Sequence, residues 1–356
     1  MGCAKYNTIE KKCKERHGDK MQDDREQGKV TIGDIAEALG ISKTTVSRAI
    51  SGKGRIGEST RRKVMDYIET TNYKPNPMAK GLAQSKTYNI CWVMPGDSTV
   101  TDLPFFQRCM VGIGEIAAAE DYDVLLSMVY DRDISQLERV VANNKVDGVI
   151  LGRTLMEDSR IECLKNSNLP YVVIGSAPDS GVIQIDNDHI SACMELTSIL
   201  IMKGMRKFSL IGGDANHVVN TTRKKGFEQA LKNQGIKIEE DWIYMNCESN
   251  AEVERAVDDS LRNGVECIVC MDDRICYSTL GKLHRDGIEV PTDIRLASFY
   301  NSAILENNQP AITSLQYDPK ELGAVACKTL LNQIKGEEVR KKILLGYEVL
   351  LKGSTQ

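Results

Sequence analysis

Between Thr31 and Ser51 the chain sets two short helical patterns around a single glycine, and that spacing constrains the fold more than any other stretch. Thr31 can cap a helix running through Leu39, with Ile35, Ala36 and Leu39 on one side. Gly40 breaks it, and Ile41 packs back. Ser42 can then cap a second helix from Lys43 to Ile50. At about 100° per residue, Lys43, Thr44, Ser47, Arg48 and Ser51 share one arc, while Val46, Ala49 and Ile50 share the other. A third helix is predicted from Glu58 to Thr71, with Gly57 at the N-cap and Val64 and Ile68 one turn apart on its core side. Two short helices about a glycine turn, then a third, give the helix-turn-helix layout. The alternative is a small three-helix bundle without a ligand. The polar arc starts at a helix N-terminus, the end from which a recognition helix reaches base edges, and this favours DNA.

Charge points the same way. Residues 28–87 hold 11 Lys and Arg against 5 Asp and Glu, whereas 88–356 hold 28 against 39. A small basic segment on a large acidic body suggests a nucleic-acid-binding head. The whole chain, 356 residues with 41% apolar and 27% charged, is ordinary for two or three globular domains. At 5%, aromatics are too sparse for base-stacking platforms. The longest apolar runs, such as Tyr171 to Gly175, are strand-sized and too short for a bilayer. The N-terminus holds no apolar core of a secretory leader, and eleven scattered cysteines read as reduced thiols, so a cytoplasmic location with no membrane partner is expected. Residues 1–27 lack periodic apolar positions and read as a disordered tail. Met21 is the expected natural start.

Residues 75–86 read PNPMAKGLAQSK. Asn76 can cap, Pro77 suits a first helical position, and the run from Met78 to Ala83 is too short to be a stable helix alone. A linker that folds only when docked is expected. From Tyr88 onward β-rich runs (Ile90–Met94, Val124–Met128, Gly148–Leu151, Tyr171–Ile174, Phe208–Ile211, Cys267–Cys270 and Arg295–Phe299) alternate with helical ones (Phe105–Glu120, Asn187–Lys203 and Thr222–Gln234). That alternation predicts parallel sheets covered on both faces, in two lobes, with a cleft at the carboxyl ends of the strands.

VTIGDIAEALGISKTTVSRAISG and the following ESTRRKVMDYIETTNYKPNPMAKGLA resemble the DNA-binding head of the LacI/GalR regulators. VDGVILG, IDNDHISA, RKFSLIGG, RKKGFEQAL, EVPTDIRLASF and PAITSLQYDPKELGAVA stand in that family's order through the body. The fine pattern, in IDND and FYNS, is similar to the maltose-operon repressor branch. The resemblance implies an α helix-turn-helix head on an α/β periplasmic-binding-protein-like type I core of two parallel-sheet lobes. It divides the chain into a head (28–74), a hinge helix (75–87) and a core (88–352). The N-subdomain is expected at about 88–186 and 316–338, and the C-subdomain at about 187–315 and 339–352. It also implies a homodimer on a pseudo-palindromic double-stranded operator.

Carried over position by position, Lys43, Thr44 and Arg48 resemble base-reading residues. Thr31, Ser42, Thr45, Ser47 and Tyr73 resemble phosphate-contacting or positioning residues. An arginine at position 48 can bond bidentately to guanine. Asn76, Lys80 and Leu82 fall in the hinge, where Leu82 matches a wedge inserted into the minor groove. Gly81 departs from the family's better helix former, and Lys80 from its usual arginine; the glycine favours an easily melted hinge.

For the effector, the resemblance implies Phe106 as a stacking ring, Arg153 past a strand's carboxyl end, Arg223 as a ligand clamp and Asp273 at the cleft. Tyr300 stands where many relatives have Asp, removing a carboxylate acceptor, and Asn301 follows it. The structural alternatives are core for Phe106, a helix-face cation for Arg223 and an N-cap for Asp273. No cofactor, metal site or catalytic constellation is expected. Cys267 and Cys270 are three apart on a strand and point to opposite faces, and GIGEIA at 112–117 falls inside a helical stretch rather than after a strand. The chain therefore reads as a ligand-responsive transcriptional repressor of carbohydrate use, with maltose or another α-glucoside as effector. Its rivals are a solute-binding transport protein, a regulator with a non-sugar effector, and an enzyme with a DNA-binding appendage.

Overall fold

The computed structural model describes residues 30–52, 54–71, 73, 86–96, 104–131 and 133–356. They fall into two compact units, divided between Ser85 and Lys86. The tail expected over 1–27 and the hinge through residue 85, with Asn76, Lys80, Gly81 and Leu82, lie outside the described residues.

In the first unit, α1 (Ile32–Ala38), α2 (Lys43–Ser51) and α3 (Glu58–Thr71) surround a small core. Thr31 forms a capping box: its hydroxyl accepts the Asp34 N–H at 3.3 Å, while the Asp34 carboxylate accepts the Thr31 N–H at 2.7 Å. Gly40 takes φ 62°, a left-handed turn that a side chain would oppose, and the Ile41 N–H returns to the Ala36 carbonyl at 3.0 Å. The Gly57 carbonyl accepts the first amide bonds of α3, from Thr60 and Arg61. Ile35, Ala36, Val46, Ala49 and Val64 are buried, with Ile41, Ile50, Ile68 and Tyr73 packed around them.

The second unit has two lobes. The first contains β1 (Asn89–Pro95), α4 (Pro104–Ala119), β2 (Asp123–Val129), α5 (Ser135–Ala142), β3 (Gly148–Gly152), α6 (Ser159–Asn166), β4 (Tyr171–Ile174) and β5 (Gln184–Asn187). The second contains α7 (His189–Met202), β6 (Phe208–Ile211), α8 (Val218–Asn233), β7 (Ile243–Tyr244), α9 (Asn250–Arg262), β8 (Cys267–Cys270), α10 (Asp273–Arg285), β9 (Arg295–Ser298), α11 (Ala303–Glu306) and β10 (Thr313–Gln316). The chain then returns as α12 (Pro319–Ile334) and β11 (Lys342–Leu345) to the first lobe and as β12 (Glu348–Leu350) to the second. The first sheet runs β11-β5-β4-β3-β1-β2, all parallel; the second runs β12-β10-β9-β8-β6-β7, parallel except for β12 against β10.

Strand alternation fills both faces of each sheet. Ile90, Trp92 and Met94 of β1 join one apolar cluster, and Cys91 and Val93 join another. Cys267 and Cys270 likewise lie in different clusters on the two faces of β8. At its start the second unit is clamped: the Asp147 carboxylate accepts from the Thr87 N–H (2.7 Å), the Thr87 hydroxyl (2.8 Å) and the Tyr88 N–H (3.0 Å).

One boundary differs from the sequence reading. Residues 339–345 belong with the first lobe, because Lys342–Leu345 pairs in register with Gln184–Asn187. The last crossing between lobes is at Gly346 and Tyr347, not after residue 338; β11 needs the open edge of β5 to satisfy its backbone groups.

Candidate DNA interface and effector cleft

Residues Ser42, Lys43, Thr44, Ser47 and Arg48 are exposed on α2, opposite buried Val46 and Ala49. Thr31 is exposed at the start of α1. The Ser42 hydroxyl accepts the Thr45 N–H at 3.1 Å and lies 2.8 Å from the Thr45 hydroxyl, so these two polar groups first fix the N-terminus of α2. Half-buried Tyr73 packs on the head core, and its N–H closes onto the Ile68 carbonyl at 3.1 Å. The outward face of α2 therefore carries two cations among short hydroxylated side chains, a surface that can enter a major groove.

The lobes enclose a cleft of about 500 Å3 at the carboxyl ends of their strands. Phe106, Arg153, Arg223, Asp273 and Tyr300 all line it. Asn301 does not. It is buried beside the cleft, its amide donating to Glu306 (2.9 Å) and Gln316 (2.6 Å) while its oxygen accepts from the Ser314 hydroxyl (3.1 Å), so its polar groups brace the loop after β9. Phe106 also belongs to the first lobe's core, and it is Phe105 that reaches the other lobe, edge-on to Tyr300 at 6.1 Å. Tyr300 in turn stacks on Tyr317 at 6.3 Å.

Arg153 follows β3 with φ 107°, a conformation that non-glycine residues adopt only when surroundings enforce it. Arg160 supplies that enforcement: it donates to the Arg153 carbonyl at 3.3 Å and forks onto Asp158 with two bonds of 2.8 Å. The Arg153 guanidinium meets Asp131 at 2.8 Å. Across the cleft, His217 Nε2 lies 3.6 Å from both Asp131 and Asp214. Burial works against the Asp131 charge, but His217, Arg153 and Arg160 outweigh it and hold the carboxyl well below the usual range. The lobes also meet along Thr154–Met156, where Met156 N–H donates to the Asn216 carbonyl (2.8 Å) and Val218 N–H to the Thr154 carbonyl (3.2 Å).

At the crossings, His189 Nδ1 lies 3.1 Å from the Tyr317 hydroxyl and Nε2 lies 3.4 Å from Asp186. Burial pushes the His189 ring below the ordinary histidine range, against the pull of Asp186. Burial also opposes charge on Asp186, but His189, the Ser176 hydroxyl and the Asn187 N–H overcome it and lower that carboxyl. Asp272, not Asp273, caps α10 by accepting the Ile275 N–H at 2.8 Å. That leaves the Asp273 carboxyl facing the cleft, where burial raises its affinity for a proton. Arg223 donates through Nη1 to the Met271 carbonyl at 2.6 Å, while its Nε, like the Asn187 Oδ1, has no partner among the described residues. Both residues line the cleft, so these unpartnered polar atoms lie in its wall.

Sequence reasoning missed Asp131, Asn187, His189, His217 and Tyr317. IDND carried a usable signal for Asn187, since those residues end a strand where a lobe crossing begins. Asp131 and His217 meet only through tertiary packing.

A helix-turn-helix unit joined to a two-lobed body with a polar cleft at its strand ends defines the class: a DNA-binding head on a type I periplasmic-binding-protein-like core. The descriptions "Bacterial regulatory proteins, lacI family" and "Periplasmic binding protein-like domain" match residues 31–76 and 197–355. Catabolite control protein A of Staphylococcus aureus is 28% identical over 334 residues, 92% of this chain and 99% of its own. The cellobiose complex of the transcriptional regulator CelR shares the fold, with TM-score 0.71, 23% identity, and coverage of 91% of this chain and 99% of that one. So does a probable maltose operon transcriptional repressor, malR, of Staphylococcus aureus, with TM-score 0.71, 23% identity and coverage of 76% and 99%. Residues 31–76 thus match the lacI family of bacterial regulatory proteins, and the chain as a whole is similar to transcriptional regulators that carry such a head.

Proposed function

We propose that the chain is a cytoplasmic homodimeric repressor of a carbohydrate-utilisation operon, released from a pseudo-palindromic operator by maltose or another α-glucoside held in the cleft. The observation that carries this reading is the pairing of an outward polar face on α2 with a cleft whose floor includes Arg223 and Asn187, each with an unpartnered polar atom. A sugar supplies what such a floor asks for: hydroxyls that donate and accept, and an apolar ring face for Phe105 and Tyr300. The neighbouring malR and CelR structures bear names tied to maltose and to cellobiose, which favours a glucoside over other small molecules.

In this reading Lys43, Thr44 and Arg48 read bases, while Thr31, Ser42, Thr45, Ser47 and Tyr73 hold phosphates. Asn76, Lys80 and Leu82 belong to a hinge that docks in the minor groove. A single head buries too little for tight specific binding, so two are needed. Met110 and Val111 on α4, Leu126 on edge strand β2, Tyr277 on α10 and Ile304 on α11 are exposed apolar side chains suited to a second copy. The ligand acts by binding, not by being transformed: its differential affinity for two lobe arrangements supplies about 1–3 kcal/mol of coupling to DNA.

Selection of bound duplexes from a random pool, with and without maltose, tests the whole reading. A two-fold-related site whose recovery falls with maltose is expected. Failure to enrich any sequence removes the regulator reading, while maltose-insensitive enrichment removes the effector. Thermal stabilisation by maltose with no product formed separates regulator from enzyme.

A further inference from the structure

Gly33 is the one glycine inside the three head helices. Its backbone does not require it. Unlike Gly40, Gly52 and Gly54, it has no positive φ, and a glycine within a helix is destabilising relative to alanine. What it provides is space. A Cβ at position 33 would lie 3.3 Å from Lys43 Cε and 3.4 Å from Lys43 Nζ, so a side chain there would press on the end of the lysine. The Lys43 side chain therefore lies across the bare backbone of the first turn of α1.

Charge explains why a lysine leans that way. Lys43 is the first residue of α2, where the positive end of the helix dipole repels an ammonium, and the first turn of α2 holds no acid to offset it. The first turn of α1 does hold one, Asp34. The Asp34 carboxylate accepts from the Thr31 N–H (2.7 Å) and the Thr31 hydroxyl (2.8 Å), and these bonds, with the Lys43 charge, hold it below the usual range. A lysine on a free stem loses rotamer freedom when it is fixed at one base. A stem already laid on a shelf has less to lose, and its reach is set before DNA arrives.

We propose that Gly33 is a specificity-determining residue of the DNA interface: its missing side chain sets the path of Lys43, and so which base edge the ammonium reaches. The proposal rests on the reading of Lys43 as a base contact and deepens it, by placing a determinant on α1, outside the recognition helix.

Parallel selection of bound duplexes from a random pool tests it, using the full chain, Gly33→Ala, Gly33→Gln, Lys43→Ala and the double variant Gly33→Gln with Lys43→Ala. Gly33→Gln should change the preference at one position of each half-site, with the ratio of the parent's preferred base to its second falling about tenfold. Gly33→Ala should move the same position by a smaller factor. Alanine is a better helix former than glycine, so this variant reads the contact with α1 intact. In the Lys43→Ala background Gly33→Gln should change nothing. A preference unmoved by both substitutions overturns the shelf and leaves Lys43 as a reader. A change that persists without Lys43 belongs to the Thr31 cap, whose Oγ1 lies 3.3 Å from the same Cβ position, and overturns the proposal as well. A selection that Lys43→Ala does not alter removes Lys43 from base reading, and the proposal with it. No enrichment by the parent chain removes the regulator reading on which both rest.

Discussion

At the scale of single residues the clearest contrast is between Asp273 and Asn301. Both were expected at the ligand, but the Asp272 cap releases the first to the cleft, and a triple hydrogen-bond commitment removes the second from it. The difference between Asp272 and Asp273 is visible in the sequence only as two adjacent acids; which one caps depends on where α10 begins. Arg48 is the residue whose role is most directly testable. Arg48→Ala should cost about 1–3 kcal/mol of sequence discrimination and leave weak, salt-sensitive DNA binding, read by gel shift against mismatched competitors. Unchanged discrimination would remove Arg48 from base reading. Asp131 gives a pH prediction. Its carboxyl is depressed in the fold, so its stabilisation is complete above the unfolded value of about 3.9 and fades as pH falls toward the lower folded value. Asp131→Asn should therefore lower Tm at pH 7 by about 2–4 °C, with the gap to the parent narrowing below about pH 4. A gap that widens in acid would contradict the sign.

At the scale of elements, the three head helices were legible because each carries its own cap and breaker: Thr31, Gly40, Ser42 and Gly57 sit where the chain starts or stops. The long alternation of the body was legible for the same local reason. Strands β5, β7, β10, β11 and β12 were not predicted: β7 spans two residues, and β11 and β12 are edge strands whose partners are distant in sequence. The packing of α4 on α12 was also invisible locally. There Gly112 and Gly323 let the helices touch backbone to backbone: a Cβ at Gly112 would strike the Lys320 carbonyl, and one at Gly323 the Cys109 carbonyl. Gly323→Ala should destabilise the second unit by about 1–3 kcal/mol, measured by chemical denaturation. No loss of stability would mean that the helices separate freely.

At the scale of the molecule, the cleft's position was inferable from topology, but its chemistry was only half so. Arg153, Arg223 and Asp273 sit beside recognisable strings, whereas His217 and Asp131 acquire meaning when two lobes close on each other. The exposed side chains Met110 and Val111 make the assembly testable as well. Val111→Glu should convert a dimer to monomers in analytical ultracentrifugation and weaken operator binding, with ligand binding retained; a dimer that persists would place the interface elsewhere. Because β11 completes one sheet and β12 the other, each lobe's sheet is closed by a strand that follows both lobes in the chain. A ribosome thus finishes the head well before the seams of the sensor can close, and a chain stopped ahead of β11 would keep the one and leave both sheets of the other with a bare edge.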